Sequence, residues 1–262
     1  MPETDGPRLA ALEVMRAVRE DDAYTNLALP AVIERHRLDA RDAAFATELA
    51  SGAIRRQGTY DAVIADCVNR PLARVDPGVL DVLRLGTHQL LGMRVPPHAA
   101  ISTSVDLART GGHRGAAGFV NAVLRRVSER DESTWLDRVA RDPATRYSHP
   151  AWVVEELRRA VGDAQLEALL AADNARPRVT LVARPGRSER DELPGEPTPY
   201  SPYGVVLGGG SPAAVPAVAQ GRAGVQDEGS QLVAWALSRA PVEGPEDRKS
   251  GSAGMPRPIS YA

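Results

Sequence analysis

"DPGVLDVLRLGTHQLL", residues 76–91, decides the fold class. Asp76 followed by Pro77 reads as a helix start: a side-chain acceptor at the cap, then a residue with no N–H to leave unpaired. Behind it Val79, Leu80, Leu83, Leu90 and Leu91 recur at the spacing of one apolar helical face. Pro96-Pro97 then breaks the chain.

The same texture extends in both directions. Upstream, Pro7 suits a first helical turn, and Ala11, Leu12, Val14, Met15 and Val18 follow it. A second helix carries Leu29, Val32 and Ile33. A third, capped by Asp39 with Asp42 in its first turn, carries Phe45, Leu49, Ala53 and Ile54, and Gly58 is expected to bend or end it. The next carries Tyr60, Val63, Ile64 and Cys67. Downstream, a helix through Ile101, Val105 and Leu107 ends at Gly111-Gly112, and another runs through Phe119, Val120, Val123, Leu124 and Val127. Short connections make residues 1–132 a compact helical bundle.

Residues 133–176 read as a helical connector that starts at Trp135 and Leu136 and is interrupted by "YSHP", residues 147–150. The texture changes at Pro177. "RVTLVAR", residues 178–184, reads as a strand, and glycine and proline dominate residues 185–224 around the short run "VVL", residues 205–207. A small, loop-rich α+β segment is expected over 177–240. It closes on a helix capped by Asp227, with Glu228 in its first turn and an apolar stripe of Leu232, Trp235 and Ala236. Residues 241–262 have no periodicity and are expected to be disordered.

Net charge is −2, so any nucleic-acid site must be a local cluster. Basic charge is almost all arginine; Lys249 is the one lysine, which makes its surroundings look foreign. Aromatics at 4% weaken the picture of bases laid on an aromatic platform. One cysteine, Cys67, excludes an intrachain disulfide and a Cys-based zinc site. The histidines lack the i, i+4 spacing of paired ligands, so no metal is expected. With no signal segment and no apolar run near 18 residues, the expectation is a soluble, cytoplasmic chain with no membrane partner.

"DAAFATELASGAIRRQGTYD" (42–61), "VLRLGTHQLLGM" (82–93), "VPPHAAISTSVDLAR" (95–109) and "GFVNAVLRRV" (118–127) resemble the NusB-like RNA-binding domain. That domain also begins the Sun (Fmu) family of bacterial rRNA cytosine-5 methyltransferases. "RYSHPAWVVEEL" (146–157) and "VQDEGSQLVAWAL" (225–237) are similar to that family's methyltransferase-side motifs, so the resemblance covers roughly residues 8–240. It implies methyl transfer from S-adenosylmethionine to C5 of a cytosine, with a cysteine thiolate adding to C6. The cofactor loop and catalytic cysteine motifs of the family are not found in this sequence, nor is a Rossmann-like domain. The expected fold is therefore mainly α, a NusB-like bundle, connector and loop-rich segment, with the catalytic core truncated or frame-shifted away near Arg248. No cofactor is expected on this chain, and no residue is nominated as catalytic or metal-binding. Whether the chain is itself an enzyme stays open.

The resemblance implies ribosomal RNA as partner, with a ribosomal protein as a second candidate. Arg55 with Arg56 and Arg125 with Arg126 lie in the stretches that carry it, and Arg16 and Arg19 are weaker candidates. Guanidinium forks suit phosphate, yet a solvated helix face with local salt bridges explains the same residues. Asn121 reads as structural or as an RNA contact, His149 as organising the entry at Pro150, and Cys67 as core. Gln226, Asp227 and Ser230 belong to a motif that faces the methyltransferase core in the whole enzyme; here they are expected to cap a helix. "VVLGGGSPAA" (205–214) lacks the pattern of a cofactor loop, and "GPEDRKS" (244–250) mimics a phosphate loop by chance. Two other readings remain: a stand-alone NusB-like regulator of transcription antitermination, and a remnant whose last helix is left uncovered.

Overall fold

A computed structural model describes residues 5–93, 95–175 and 177–240. The expectations for 241–262, including those on Lys249 and the phosphate-loop mimic, lie outside the described residues. The chain divides into two compact units after Ala175.

The first unit is helical: α1 (Gly6–Asp21), α2 (Thr25–Arg35), α3 (Ala40–Arg55), α4 (Gln57–Cys67), α5 (Pro77–Leu91), α6 (Pro97–Thr110), α7 (Ala117–Val127), α8 (Glu132–Val139), α9 (Pro143–Tyr147), α10 (Ala151–Val161) and α11 (Asp163–Asp173). Its starts are written in capping chemistry. Asp5, Asp39, Asp76, Asp131 and Asp142 each accept a first-turn backbone N–H.

α5 lies at the centre, with every residue from Val79 to Gln89 buried. Val82, Leu83 and Leu85 are fully enclosed by apolar side chains, among them Val14, Leu49, Ile64 and Leu124. Gly86 lets α6 and α7 close on it, since a Cβ there would meet Leu124 Cδ1 at 2.5 Å and Ser104 Oγ at 2.9 Å. Burying a whole helix also buries its polar side chains, and the charged ones above all need partners. Arg84 forms a two-pronged pair with Asp61 of α4 (2.8 and 2.7 Å) and reaches Asp81 at 3.2 Å. Asp81 in turn accepts from Arg19 of α1 at 2.8 Å. Gln89 accepts from Arg8 of α1 at 2.7 Å. Nδ1 of His88 is hydrogen-bonded to the Tyr60 hydroxyl of α4 at 2.8 Å.

Gly58 does not end α3. The break falls at Arg56, and Gly58 sits in the first turn of α4, where its N–H donates to Ser148 Oγ at 2.7 Å. The glycine serves close approach of the connector. Thr59 strengthens that seam by donating its hydroxyl to the Thr145 carbonyl at 2.7 Å. Trp135 of α8 is buried and donates its indole N–H to the Val127 carbonyl at 2.8 Å. Val154, Leu166 and Leu170 make a small core of their own.

The second unit carries a four-stranded antiparallel sheet in the order β2-β3-β1-β4, with β1 (Thr180–Ala183), β2 (Glu196–Pro197), β3 (Gly204–Val206) and β4 (Ala223–Val225). Leu181, Ala183, Val205 and Ala223 point to one face and pack with Leu193, Val215 and Ala217. The last two residues flank and begin α12 (Pro216–Ala219), and α13 (Glu228–Arg239) follows β4. The mainly helical fold with a small α+β segment is what the sequence led us to expect. Strands β2 and β4 are additions to it.

His88 makes the bundle sensitive to acid. Burial pulls its pKa from 6.5 down to about 4. Below pH 6.5 the unfolded chain takes up the proton first, so stability falls as pH drops towards 4 and is fully present above 6.5. Urea unfolding should lose about 2 kcal/mol between pH 7.5 and pH 5 from this group. His88→Asn should flatten that slope even where it lowers stability at pH 7.5; an unchanged slope would show that another group sets it.

Candidate nucleic-acid interface

Arginines are separated by what neutralises them. Arg19 donates to Asp81, a carboxylate with only 1% of its side chain exposed, and so belongs to the network inside the bundle. Arg56 pairs with Glu132 of α8 and lies over the Tyr60 ring, 5.6 Å from its centroid. It joins the α3–α4 elbow to the connector. Arg16 pairs with Glu20 at 2.7 Å on the surface. Arg16, Arg19, Arg35, His36 and His113 line a groove of about 1,040 Å3 with five carboxylates, Glu13, Glu20, Asp21, Asp76 and Asp81, which outnumber its arginines and make it a poor setting for phosphate.

The other candidates keep their charge. Among the described residues no hydrogen bond or ion pair reaches Arg55, which is half-buried at the end of α3. Arg125 and Arg126 stand in the last turn of α7, exposed, and both lean on neutral acceptors. Arg125 donates to Asn121 Oδ1 at 3.3 Å, and Arg126 donates to the Cys67 carbonyl at 2.9 Å. Asn121 therefore steadies a cation on its own helix. Cations in the last turn also sit favourably against the negative end of the helix.

Beside this turn is a cleft of about 450 Å3, lined by Cys67, Val68, Asn69, Arg70, Phe119, Ala122, Val123 and Arg126. Arg70 lies over the Phe119 ring at 4.5 Å. Neither residue stands out in the sequence as a site: Phe119 falls on the apolar face of α7, and Arg70 is one loop arginine among many. The available signal was Pro71, which stops α4 from continuing and leaves Asn69 and Arg70 exposed on a loop. The Cys67 thiol is buried, and burial pushes its pKa up to about 11, with Asp66 adding to the rise. Such a thiol is not a nucleophile near neutral pH.

In the second unit the helix motif is built around Gln231, which carries no signal of its own in the sequence. Asp227 caps α13 by accepting from Gly229 N–H at 2.9 Å, and Gln226 donates its N–H to the Thr180 carbonyl at 3.0 Å. Ser230 is exposed. The seat is Gln231, 4% exposed, whose amide donates to the carbonyls of Gln226 (2.8 Å) and Leu181 (3.3 Å) and accepts from Ser201 Oγ (2.6 Å). Gly204 leaves room for it, since a Cβ there would lie 2.8 Å from Gln231 Oε1. One oxygen of Glu228 accepts from the N–H groups of Tyr200 (2.7 Å) and Ser201 (2.8 Å). Desolvation works to raise its pKa, but those bonds outweigh it and hold the carboxyl below its ordinary range. Leu232 and Trp235 are half-buried, whereas Val233 and Leu237 face outwards at 70% and 63% exposure. His149 Nδ1 lies 2.7 Å from the Tyr147 carbonyl, at the entry to α10.

A helical bundle with α5 at its centre and a basic cleft on α7 is the class this geometry defines. Residues 5–129 match the NusB family. The chain as a whole is related to bacterial ribosomal RNA small subunit methyltransferases B. It is 46% identical to the putative methyltransferase MT1451 of Mycobacterium tuberculosis, with 93% of this chain and 56% of the relative covered. It is 35% identical to ribosomal RNA small subunit methyltransferase B of Pseudomonas putida, with 90% and 55% covered. The chain thus spans about half the length of the curated relatives it matches. The crystal structure of PH0851 superposes with a TM-score of 0.64 at 18% identity, covering 97% of this chain and 61% of that one, which speaks to the fold. No helix among the described residues is long and apolar enough to cross a membrane.

Gln231→Ala should destabilise the second unit by roughly 1–3 kcal/mol, because it strands a buried carbonyl and a hydroxyl. Ser230→Ala should change stability by less than about 0.5 kcal/mol. Hydrogen exchange at Leu181 and Val182 reads both; equal protection in the two variants would contradict the seating role.

Proposed function

We propose that this chain is the RNA-binding portion of an S-adenosylmethionine-dependent rRNA cytosine-C5 methyltransferase, and that it holds small-subunit ribosomal RNA without methylating it. The observation that carries the binding reading is the set Arg55, Arg70, Arg125 and Arg126. These guanidiniums meet no carboxylate among the described residues, while Arg19 and Arg56 are neutralised inside the fold. The family relationship supports ribosomal RNA as the class of partner. Arg125 and Arg126 contact phosphate first, being exposed and steadied by neutral acceptors. Arg55 is a secondary contact.

The state of Cys67 supports the second half of the proposal. A buried thiol with its pKa near 11 cannot supply the thiolate that addition to C6 of cytosine requires. Methyl transfer and cofactor binding are therefore assigned to the part of the relatives' length that this chain does not span. Gln226, Asp227 and Gln231 act here by seating α13.

Affinity for a small-subunit rRNA fragment should fall steeply with salt, as counterions are released from phosphate. Arg125→Ala with Arg126→Ala should reduce the slope of log K against log salt by roughly 1.4–1.8, about two contacts' worth. Arg56→Gln should lower the melting temperature and leave the slope unchanged. Binding that is insensitive to salt would remove the arginine reading, and methyl transfer from labelled S-adenosylmethionine above background would overturn the claim of an inactive chain.

A further inference from the structure

We infer that α9–α11 form a hinged arm, held to the bundle by a hydrogen-bonded latch that opens without unfolding either part. The arm has a core of its own: Val154, Leu166 and Leu170, with Ala144, Tyr147 and Leu157 against it. None of these residues belongs to the core around α5, which reaches along the chain to Trp135 and Val139 of α8. The arm is also braced internally. The Tyr147 carbonyl accepts from Asn174 Nδ2 at 2.7 Å and lies 2.7 Å from His149 Nδ1, so the end of α11 is tied to the end of α9. Residues 140–142 join the arm to α8, and the second unit follows it directly in the chain.

What holds the arm down is polar. α9 packs against α4. Thr59, 2% exposed, donates its hydroxyl to the Thr145 carbonyl at 2.7 Å. Ser148 Oγ accepts from the Gly58 N–H at 2.7 Å and the Thr59 N–H at 3.4 Å. Both N–H groups stand in the first turn of α4, where a helix offers no acceptor of its own. Arg56, at the cap position, makes no side-chain cap. Ser148 therefore caps α4 from the arm, and it does so on a left-handed backbone with φ +60°. That conformation is disfavoured for any residue but glycine, so it offsets part of the gain from docking. The exposed ion pair of Arg146 with Asp137, at 3.8 Å, adds little. A hydrogen bond exchanged with water contributes about 2- to 13-fold in an equilibrium, so two good ones hold the arm by roughly 5- to 160-fold. Unfolding a typical domain is opposed by about 5,000-fold or more. The latch opens well before the bundle melts, and the arm, with its own core, swings away intact.

Amide hydrogen exchange of the full chain reads the latch directly, because the Gly58 and Thr59 N–H groups are protected by Ser148. Gly58 should exchange about 30-fold or more faster than Leu83 and Leu85 of α5, while Leu170 of the arm stays better protected than Gly58. A second readout follows the arm itself. Nitroxide labels at Ser102→Cys in α6 and Gln165→Cys in α11, both exposed positions, should give one main distance and a second, longer one. Cys67 is buried and should stay unlabelled. Ser148→Gly keeps the left-handed backbone without the hydroxyl, and Thr59→Val removes the other bond. Each should raise the weight of the longer distance relative to the main one by about 2- to 13-fold. Gly58 exchanging as slowly as Leu83 in the parent, or a distance distribution that both variants leave unchanged, would overturn the inference. Loss of Leu170 protection in step with Gly58 would overturn it as well, by showing an arm that unfolds where it should swing.

Discussion

The bundle depends on one constraint: α5 is buried from Val79 to Gln89, and its charged and most strongly polar side chains are held by partners in other helices. Asp81, Arg84, His88 and Gln89 are met by Arg19 and Arg8 of α1 and by Asp61 and Tyr60 of α4. Apolar burial supplies most of the driving force for such a core, but it is nearly indifferent to orientation. The hydrogen-bonded pairs are directional, and any slip of α5 would leave a buried charge unpaired at a cost of several kcal/mol. Direction and register in this fold are thus fixed from the middle outwards.

The same constraint sorts the arginines. Those recruited to satisfy buried or seam carboxylates, Arg84, Arg19 and Arg56, have little field left for a ligand. Arg125 and Arg126 end a helix whose inner face, through Val120, Val123, Leu124 and Val127, is fully committed to the core. Their outward position follows from that packing. The charge is then steadied by an amide and a carbonyl, acceptors that do not neutralise it. The second unit solves a similar problem with a neutral group. Gln231 lets α13 sit on a sheet too small to offer a large apolar face, by exchanging hydrogen bonds with both strand and loop.

Much of the fold was legible because its signals are local. Aspartate caps, Pro77 at a first turn and the 3.6-residue recurrence of Val and Leu act within a few positions of one another. Gly58 misled because a glycine can mark a break or a close approach, and only the position of Ser148, 90 residues away, distinguishes them. Strands β2 and β4 span two and three residues, too short for a period to be read. The arginine pairs could be located but not divided. The partners that silence Arg19 and Arg56 lie 62 and 76 residues further along the chain. Arg70 and Phe119 became a pair only when the loop after α4 met the start of α7.

The central claim is that buried pairing, not position in the sequence, decides which arginines meet RNA. Phenylglyoxal modification of the full chain, mapped by peptide mass with and without a small-subunit rRNA fragment, tests it residue by residue. Arg84 and Arg56 should react slowly in both states, while Arg70, Arg125 and Arg126 should react quickly alone and be protected by RNA. Protection centred on Arg16, or unchanged reactivity at Arg125 and Arg126, would contradict the account.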